Sequence, residues 1–371
     1  MPKENSILDK LIQRKQIQDA YHFNPLDLVS HIFNNLSIKE KEVIKRRFSL
    51  DGQEKQTLEE IGKLHNITRE RIRQIQSAAI RKIKELKDIK EQVDSISGTV
   101  KKVLSDYCGI MEESHFLDEI LSYSDNNKEN RQATLFIASQ LLDEHIEKIK
   151  NSEKLLEGWK LKVVSLDIVH EVIDVLEDLI EKGKRLVKIE EIVELFKSHD
   201  YFGNNSHKIK SLLSNTLSDD TLDGKKIHDL LYSYLKISNK INHNILHEWG
   251  MSKWPEVTPK RMGDKVYLVL KKEKRPMHFT EITKFINDTK FDKKIAYPAT
   301  IHNELILDDR FVLVGRGIYA LKEWGYKAGT VIDVIRDIVR EAKKPITKDE
   351  IVDEVLKKRI IGLGFRSLSE F

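Results

Sequence analysis

Apolar residues along this chain recur mostly at steps of three and four, the period of helices that bury one face. The clearest stretch runs from Thr57 to Ile83, TLEEIGKLHNITRERIRQIQSAAIRKI. Ile61 and Leu64 mark a first apolar face. Ile72, Ile75, Ala79 and Ile83 mark a second, at steps of 3, 4 and 4. Thr57 with Glu60 three residues on is a capping-box pattern, and Thr68 is a second N-cap. Between them His65-Asn66 breaks the period, and Asn accepts the left-handed conformation a tight turn needs. Two capped helices around a turn of about four residues have the spacing of a helix-turn-helix.

The helical pattern extends upstream. Leu36, Val43, Ile44 and Phe48 form the apolar side of a helix opened by Ser37 and Glu40 and closed by the turn residues Asp51-Gly52. Leu26, Leu28, Val29 and Ile32 predict a short helix after a turn at Asn24-Pro25. Ile7, Leu8, Leu11 and Ile12 predict another near the N-terminus.

Downstream, phrases repeat. RLVKIEEIVELF begins at Arg185, RPMHFTEITKFI at Arg275 and KPITKDEIVDEVL at Lys344. Each follows a helical segment: Leu166–Lys182, Asp264–Lys272 and Thr330–Ala342. Glu-Trp-Gly closes two of them, in ILHEWGM and YALKEWGY, and a fainter copy runs from Ile96 to Trp159 with GIMEESHFLDEIL as its internal helix. Such spacing means tandem copies of one supersecondary unit. In the clearest copy a third helix, Pro298–Ile306, precedes two short strands around Gly315-Arg316-Gly317. Three helices and a hairpin make a winged helix. The ending IIGLGFRSLSEF carries no hairpin pattern.

The expected fold is therefore mainly α: a helix-turn-helix domain followed by tandem winged-helix-like repeats with small β-hairpin wings. The expected divisions are a helical lead-in over 1–35, the helix-turn-helix over 36–90, a degenerate winged-helix-like domain over 91–165, a winged-helix-like repeat over 166–251, a winged helix over 262–326 and a partial repeat over 330–371. Only 7 Pro and 16 Gly in 371 residues agree with that class.

Charge sharpens the picture. The net charge is +4, but residues 36–90 hold 15 Lys and Arg against 9 Asp and Glu, while everything after Lys90 sums to −2. A basic segment attached to a neutral remainder is the footprint of a nucleic-acid-binding module. The one cysteine, Cys108, excludes an intramolecular disulfide or a Cys-rich zinc site and is expected in the core. No apolar run approaches ~18 residues and the N-terminus has no signal-like core. A cytoplasmic, nucleoid-associated protein with no membrane partner is expected.

On the second helix of the helix-turn-helix, Arg69, Glu70, Arg73 and Gln74 share a polar face near its N-terminus. These groups suit base edges: Arg to guanine, Gln to adenine, Glu accepting from cytosine. Arg71 lies to the side, and Arg81, Lys82 and Lys84 follow, better placed for phosphates. A charged helix face alone also describes a solvated, salt-bridged helix. The capped turn before it and the basic segment around it favour DNA.

The run LSIKEKEVIKRRFSLDGQEKQTLEEIGKLHNITRERIRQIQSAAIRKIK resembles region 4 of housekeeping-type bacterial sigma factors over about one seventh of the chain. The resemblance implies recognition of a −35-type promoter element and docking on the β flap of RNA polymerase. It implies base contacts from Arg69, Glu70 and Gln74, and backbone contacts from Arg71, Arg73, Arg47 and the helix start at Thr57. It implies a flap-binding surface on the apolar side of Leu36–Phe48. A complete sigma factor also has a strand-opening domain rich in aromatic residues. The 35 residues before Leu36, with Tyr21, Phe23 and Phe33, leave no room for one, so recruitment without strand opening is expected.

Residues 262–326, including HNELI and DDRFVLVGRGIYALKEWGY, resemble the HARE-HTH family, which includes the N-terminal domain of the RNA polymerase delta subunit and domains fused to chromatin and restriction proteins. Its third helix carries Thr300, His302 and Asn303 but also Glu304, with Asp308 and Asp309 beyond, a poor match to phosphates. Arg316 at the wing tip is a candidate minor-groove contact or a solvated side chain. Trp249 and Trp324 read as core anchors.

No catalytic constellation stands out. His243 and His247 are four apart and could share a helix face, but no third ligand accompanies them. Glu191, Glu194 and Lys197 read as a solvated helix face. A non-enzyme with no cofactor, metal or small-molecule substrate is expected. Its partners would be double-stranded promoter DNA and core RNA polymerase. The rival functions are a polymerase accessory subunit competing for the β flap and a restriction- or modification-associated DNA binder.

Overall fold

The computed structural model describes residues 24–122, 124–216, 224–326, 331–342 and 345–358. The helix expected around Ile7–Ile12 and the ending IIGLGFRSLSEF lie outside them. The architecture is mainly helical with small antiparallel sheets. The chain divides into two compact units, Met1–Gly183 with Ile189–Ile241, and Lys184–Lys188 with Asn242–Phe371.

The first unit opens with helix α1 (Pro25–Asn34), whose N-cap Asn24 accepts from the Leu26 N–H at 3.1 Å. Pro25 fits the first turn because its missing N–H has no partner to lose. Helix α2 (Ile38–Phe48) starts in a full capping box: the Glu40 carboxylate accepts from the Ser37 N–H at 2.8 Å and the Ser37 hydroxyl accepts from the Glu40 N–H at 3.4 Å. It ends at Ser49, in the left-handed region at φ 58°, before the turn expected at Asp51-Gly52. Helix α3 (Leu58–Leu64) repeats the device with Thr57 and Glu60, at 2.7 and 3.2 Å. Asn66 takes the left-handed conformation at φ 52°, and Thr68 caps helix α4 (Arg69–Glu85) through the Arg71 N–H at 3.2 Å.

A small core ties these helices together. Val43, Ile61 and Ile72 are fully buried, with Leu58, Ile67 and Ile75 packed around them. Burying each such side chain contributes about 1.5–3 kcal/mol. Gly62 sits at the tightest approach: a Cβ there would lie 2.7 Å from the Ile67 carbonyl oxygen, so the turn admits no side chain. Leu64 departs from the expected apolar face. It is 57% exposed, and Ile67, delivered by the turn, packs on the cluster instead.

One residue, Leu86, separates α4 from α5 (Lys87–Asp106). Then come β1 (Ile110–Glu112), α6 (Glu113–Ile120), α7 (Lys128–Gln140), β2 (Ile146–Ile149) and β3 (Gly158–Leu161), in an antiparallel sheet of order β1-β3-β2. The single helix expected over GIMEESHFLDEIL is split. Cys108 and Gly109 both have positive φ, which ends α5 and frees Ile110–Glu112 to pair with β3. The Glu112 carboxylate then caps α6, accepting from the Ser114 and His115 N–H groups at 2.8 and 2.9 Å. Cys108 is buried as expected, and burial pushes its thiol up to about 12. Helix α7 turns back onto the helix-turn-helix: α1 packs against it, and the Phe48 ring meets Phe136 edge-on at 5.0 Å. Helices α8 (Leu166–Gly183), α9 (Ile189–Ser198), α10 (Asp200–Thr216) and α11 (Gly224–Ile237) complete the unit. Glu191, Glu194 and Lys197 lie on α9, whose apolar face is Ile192, Val193 and Phe196.

At the division of the units the chain forms a hairpin, β4 (Ile241–His243) and β5 (Trp249–Met251). His243 and His247 do not share a helix: one ends β4 and the other takes φ 58° in the turn, because the two-residue period of the strand, not a helical one, governs this segment. Trp249 is buried and its segment bridges to Val187.

The second unit continues with α12 (Met262–Glu273), β6 (Met277–His278), α13 (Phe279–Thr289), α14 (Pro298–Leu307), β7 (Phe311–Gly315) and β8 (Ile318–Leu321). Its sheet order, β6-β8-β7, repeats that of the β1-β3-β2 sheet. Val266, Leu270, Ile282, Ile301 and Leu305 form its core. Lys265 is buried on α12, and its ammonium reaches Asp292 at 2.8 Å. Trp324, in a 3-10 turn after β8, is half-buried between two apolar clusters. Helices α15 (Val331–Glu341) and α16 (Lys348–Lys358) pack together at the end.

Candidate nucleic-acid interface

The N-terminal half of α4 presents the chemistry singled out from the sequence. Its apolar face is occupied by Ile72, Ala79 and Ile83, which are fully buried. The helical period then forces Arg69, Glu70, Arg73 and Gln74 outward, and all four are exposed. The side chains are paired rather than loose. The Glu70 carboxylate accepts from Arg73 Nε at 2.9 Å and Nη2 at 2.7 Å, and Arg71 Nη1 donates to Gln74 Oε1 at 3.0 Å. The Arg73 guanidinium holds the Glu70 carboxyl below its ordinary range, and the same hydrogen bonds raise Arg73. A forked pair of this kind fixes the plane of the guanidinium before any ligand arrives. The positive end of the α4 dipole points the same way.

The expected phosphate-facing residues separate into three kinds. Arg71 and Arg81 are exposed on α4, and Lys82 stands 3.9 Å from Glu40. Thr57 is exposed, but its hydroxyl serves the α3 cap. Arg47 is half-buried, and its Nη1 donates to the Gln56 carbonyl at 3.1 Å, so it holds the segment before α3 as well as facing solvent. Lys84 is paired with Asp143.

The apolar side of Leu36–Phe48, expected to meet the β flap, is covered within the chain. Leu36, Val43 and Ile44 are buried, Phe48 packs on Phe136, and Ile38 stands out at 86% exposed.

Helix α14 has other chemistry. Thr300 and Asn303 are exposed, whereas His302 is half-buried between Phe279 at 4.9 Å and Tyr319 at 5.9 Å. Arg310, just beyond, is consumed by carboxylates: its Nε and Nη2 donate to Asp308 at 3.0 and 2.6 Å, and Nη2 also donates to Asp264 at 3.0 Å. These bonds raise the Arg310 guanidinium and lower the Asp308 carboxyl. Arg316 is exposed at the wing tip, where Gly317 takes φ 71°.

The fork between Glu70 and Arg73 spans three residues and could have been anticipated from spacing. The Arg310–Asp264 bond joins residues 46 apart and the Lys84–Asp143 pair residues 59 apart, which no local pattern announces. Among the described residues no group of three or more His, Cys, Asp or Glu is placed to hold a metal ion, and no helix is long and apolar enough to cross a membrane.

The fold and this surface define a helix-turn-helix protein with winged-helix repeats, and comparison with known proteins refines that. Residues 32–85 match the family model of Sigma-70, region 4, and residues 262–324 match that of HARE-HTH, a restriction endonuclease HTH domain. The first segment is 46% identical over 67 residues to RNA polymerase sigma factor SigA of Clostridium acetobutylicum, covering 18% of each chain. It is 49% identical over 53 residues to sigma factor SigA1 of Synechococcus elongatus, covering 14% of this chain and 13% of that one. Sigma factor RpoD of Helicobacter pylori is 49% identical over 57 residues, 15% of this chain and 8% of its own. The chain thus spans less than a fifth of the length of these relatives, and the likeness is one of domains. No solved structure matches.

Proposed function

We propose that this protein is a bacterial sequence-specific transcription factor that grips a −35-type promoter element with α4. Arg69, Glu70, Arg73 and Gln74 read base edges in the major groove. Arg47, Thr57, Arg71, Arg81 and Lys82 hold the backbone. The winged-helix tail contacts RNA polymerase, a regulator or flanking DNA, with Arg316 as its wing contact. What carries this reading is the outward N-terminal face of α4, where four base-reading side chain types stand exposed beside a capped turn. The region 4 match over residues 32–85 supports it. The burial of the apolar side of α2 weighs against the rival role as an accessory subunit seated on the flap through that surface.

Selection of bound sites from a random duplex library with the full chain tests it, read alongside Gln74→Ala. A −35-like motif that loosens at one base pair in the variant is expected. No enriched motif, or an unchanged one in the variant, sinks the base-reading assignment. Retention of core polymerase by the full chain, and by a chain lacking residues 36–90, tells whether the tail reaches polymerase.

A further inference from the structure

The outward face of α14 is a helix surface without cations. Pro298–Leu307 contains no Lys or Arg. Its core side is Ile301 and Leu305, so the helical period turns Ala299, Asn303, Ile306 and Leu307 to solvent. Ile306 is 62% exposed and Leu307 81%. The apolar surface continues onto the sheet. Leu313 on β7, 44% exposed, lies opposite Tyr319, and Tyr319 faces His302 one turn before Ile306. At the far end of the helix stand Glu304 and Asp309, neither paired with a cation among the described residues. Arg310, the nearest cation, is already held by Asp308 and Asp264.

Large apolar side chains gathered on one face are costly to leave in water and mark interaction surfaces. A nucleic acid is the wrong occupant, because phosphates would meet carboxylates and gain no ion pair. We propose that this face docks a protein segment: an amphipathic helix with a leucine- or isoleucine-type stripe flanked by Lys or Arg. The stripe would cover Ile306, Leu307 and Leu313, and its cations would meet Glu304 and Asp309. The surface is independent of duplex reading by α4, so either can fail alone.

The test uses the full chain and a fluorescent helical Leu/Lys peptide of about 14 residues as probe. A matched Leu/Glu peptide and a labelled duplex are the controls. The Leu/Lys peptide is expected to bind at least about tenfold more tightly than the Leu/Glu peptide. The paired substitution Ile306→Asp with Leu307→Asp should weaken it by about tenfold or more. Asp309→Lys should weaken it severalfold and strengthen the Leu/Glu peptide. Both positions are exposed, so the melting temperature of each variant should match that of the parent, which separates lost docking from lost fold. Equal binding of the two peptides, or equal binding by parent and paired variant at unchanged melting temperature, overturns the proposal. So does duplex binding that falls together with the paired substitution, since it would make this face a nucleic-acid surface.

Discussion

Helices α4 and α14 occupy the same position in their motifs, the last helix of a compact helical trio, and carry opposite chemistry. On α4, six of seventeen residues are Lys or Arg, and the pairing of Arg73 with Glu70 still leaves the face cationic. On α14 there is no Lys or Arg, and the one guanidinium beside it is held by two carboxylates. Burial is alike: each helix sinks an isoleucine fully into its core, Ile72 in one and Ile301 in the other. Scaffold and surface are therefore separable. The inward residues make the motif, and the outward ones decide what it holds.

The largest effects should come from the shared part. Ile72→Ala and Ile301→Ala should each cost about 2–5 kcal/mol in denaturant unfolding of its own unit, through lost contacts and a cavity. Only Ile72→Ala should abolish duplex binding; loss from Ile301→Ala as well would erase the contrast. Next, Gln74→Ala should relax preference at one base pair by about 1–3 kcal/mol in a mutated-site binding series, whereas Asn303→Ala should leave every site unchanged. Arg71→Ala should weaken all duplexes alike and flatten the slope of log affinity against log salt by about one, while Arg316→Ala tests whether the wing adds a slope of its own. Thr68→Ala should destabilise the start of α4 by about 0.5–2 kcal/mol in thermal melts.

The smallest effect is that of pH. Arg73 depresses the Glu70 carboxyl, so the pair is intact above the ordinary carboxylate range and is lost as pH falls through the lowered value. Duplex preference should therefore hold steady from neutral pH to about pH 5 and blur only below that. Glu70→Gln should reproduce the blurred preference at neutral pH in the same competition assay.

Much of the α4 surface was legible because local rules agreed there. Thr57, Glu60, Asn66 and Thr68 each fixed a boundary by side-chain chemistry, and the boundaries fixed the outward face. The strands were harder. Ile110–Glu112 and Met277–His278 are too short to show alternation, and each exists because a distant hairpin offers it an edge. The helices α10 and α11 lie between the second repeated phrase and its Glu-Trp-Gly ending, where the repeat offered no template. Pairs such as Arg310 with Asp264 come from tertiary folding, and so does the burial of Phe48 against Phe136.

Leu86 is at once the last cap of α4 and the first of α5, and it is not the only tie between them. Lys84 bonds Asp143, Phe48 meets Phe136, and α1 lies along α7. A joint braced at several points behaves as a bracket rather than a hinge. Whatever α4 grips, the neighbouring sheet and its wing are carried at a set distance and a set angle around it. An added residue at Leu86 would turn that bracket by about 100° about the helix axis. The chain therefore holds a ruler, and its scale is written in one residue.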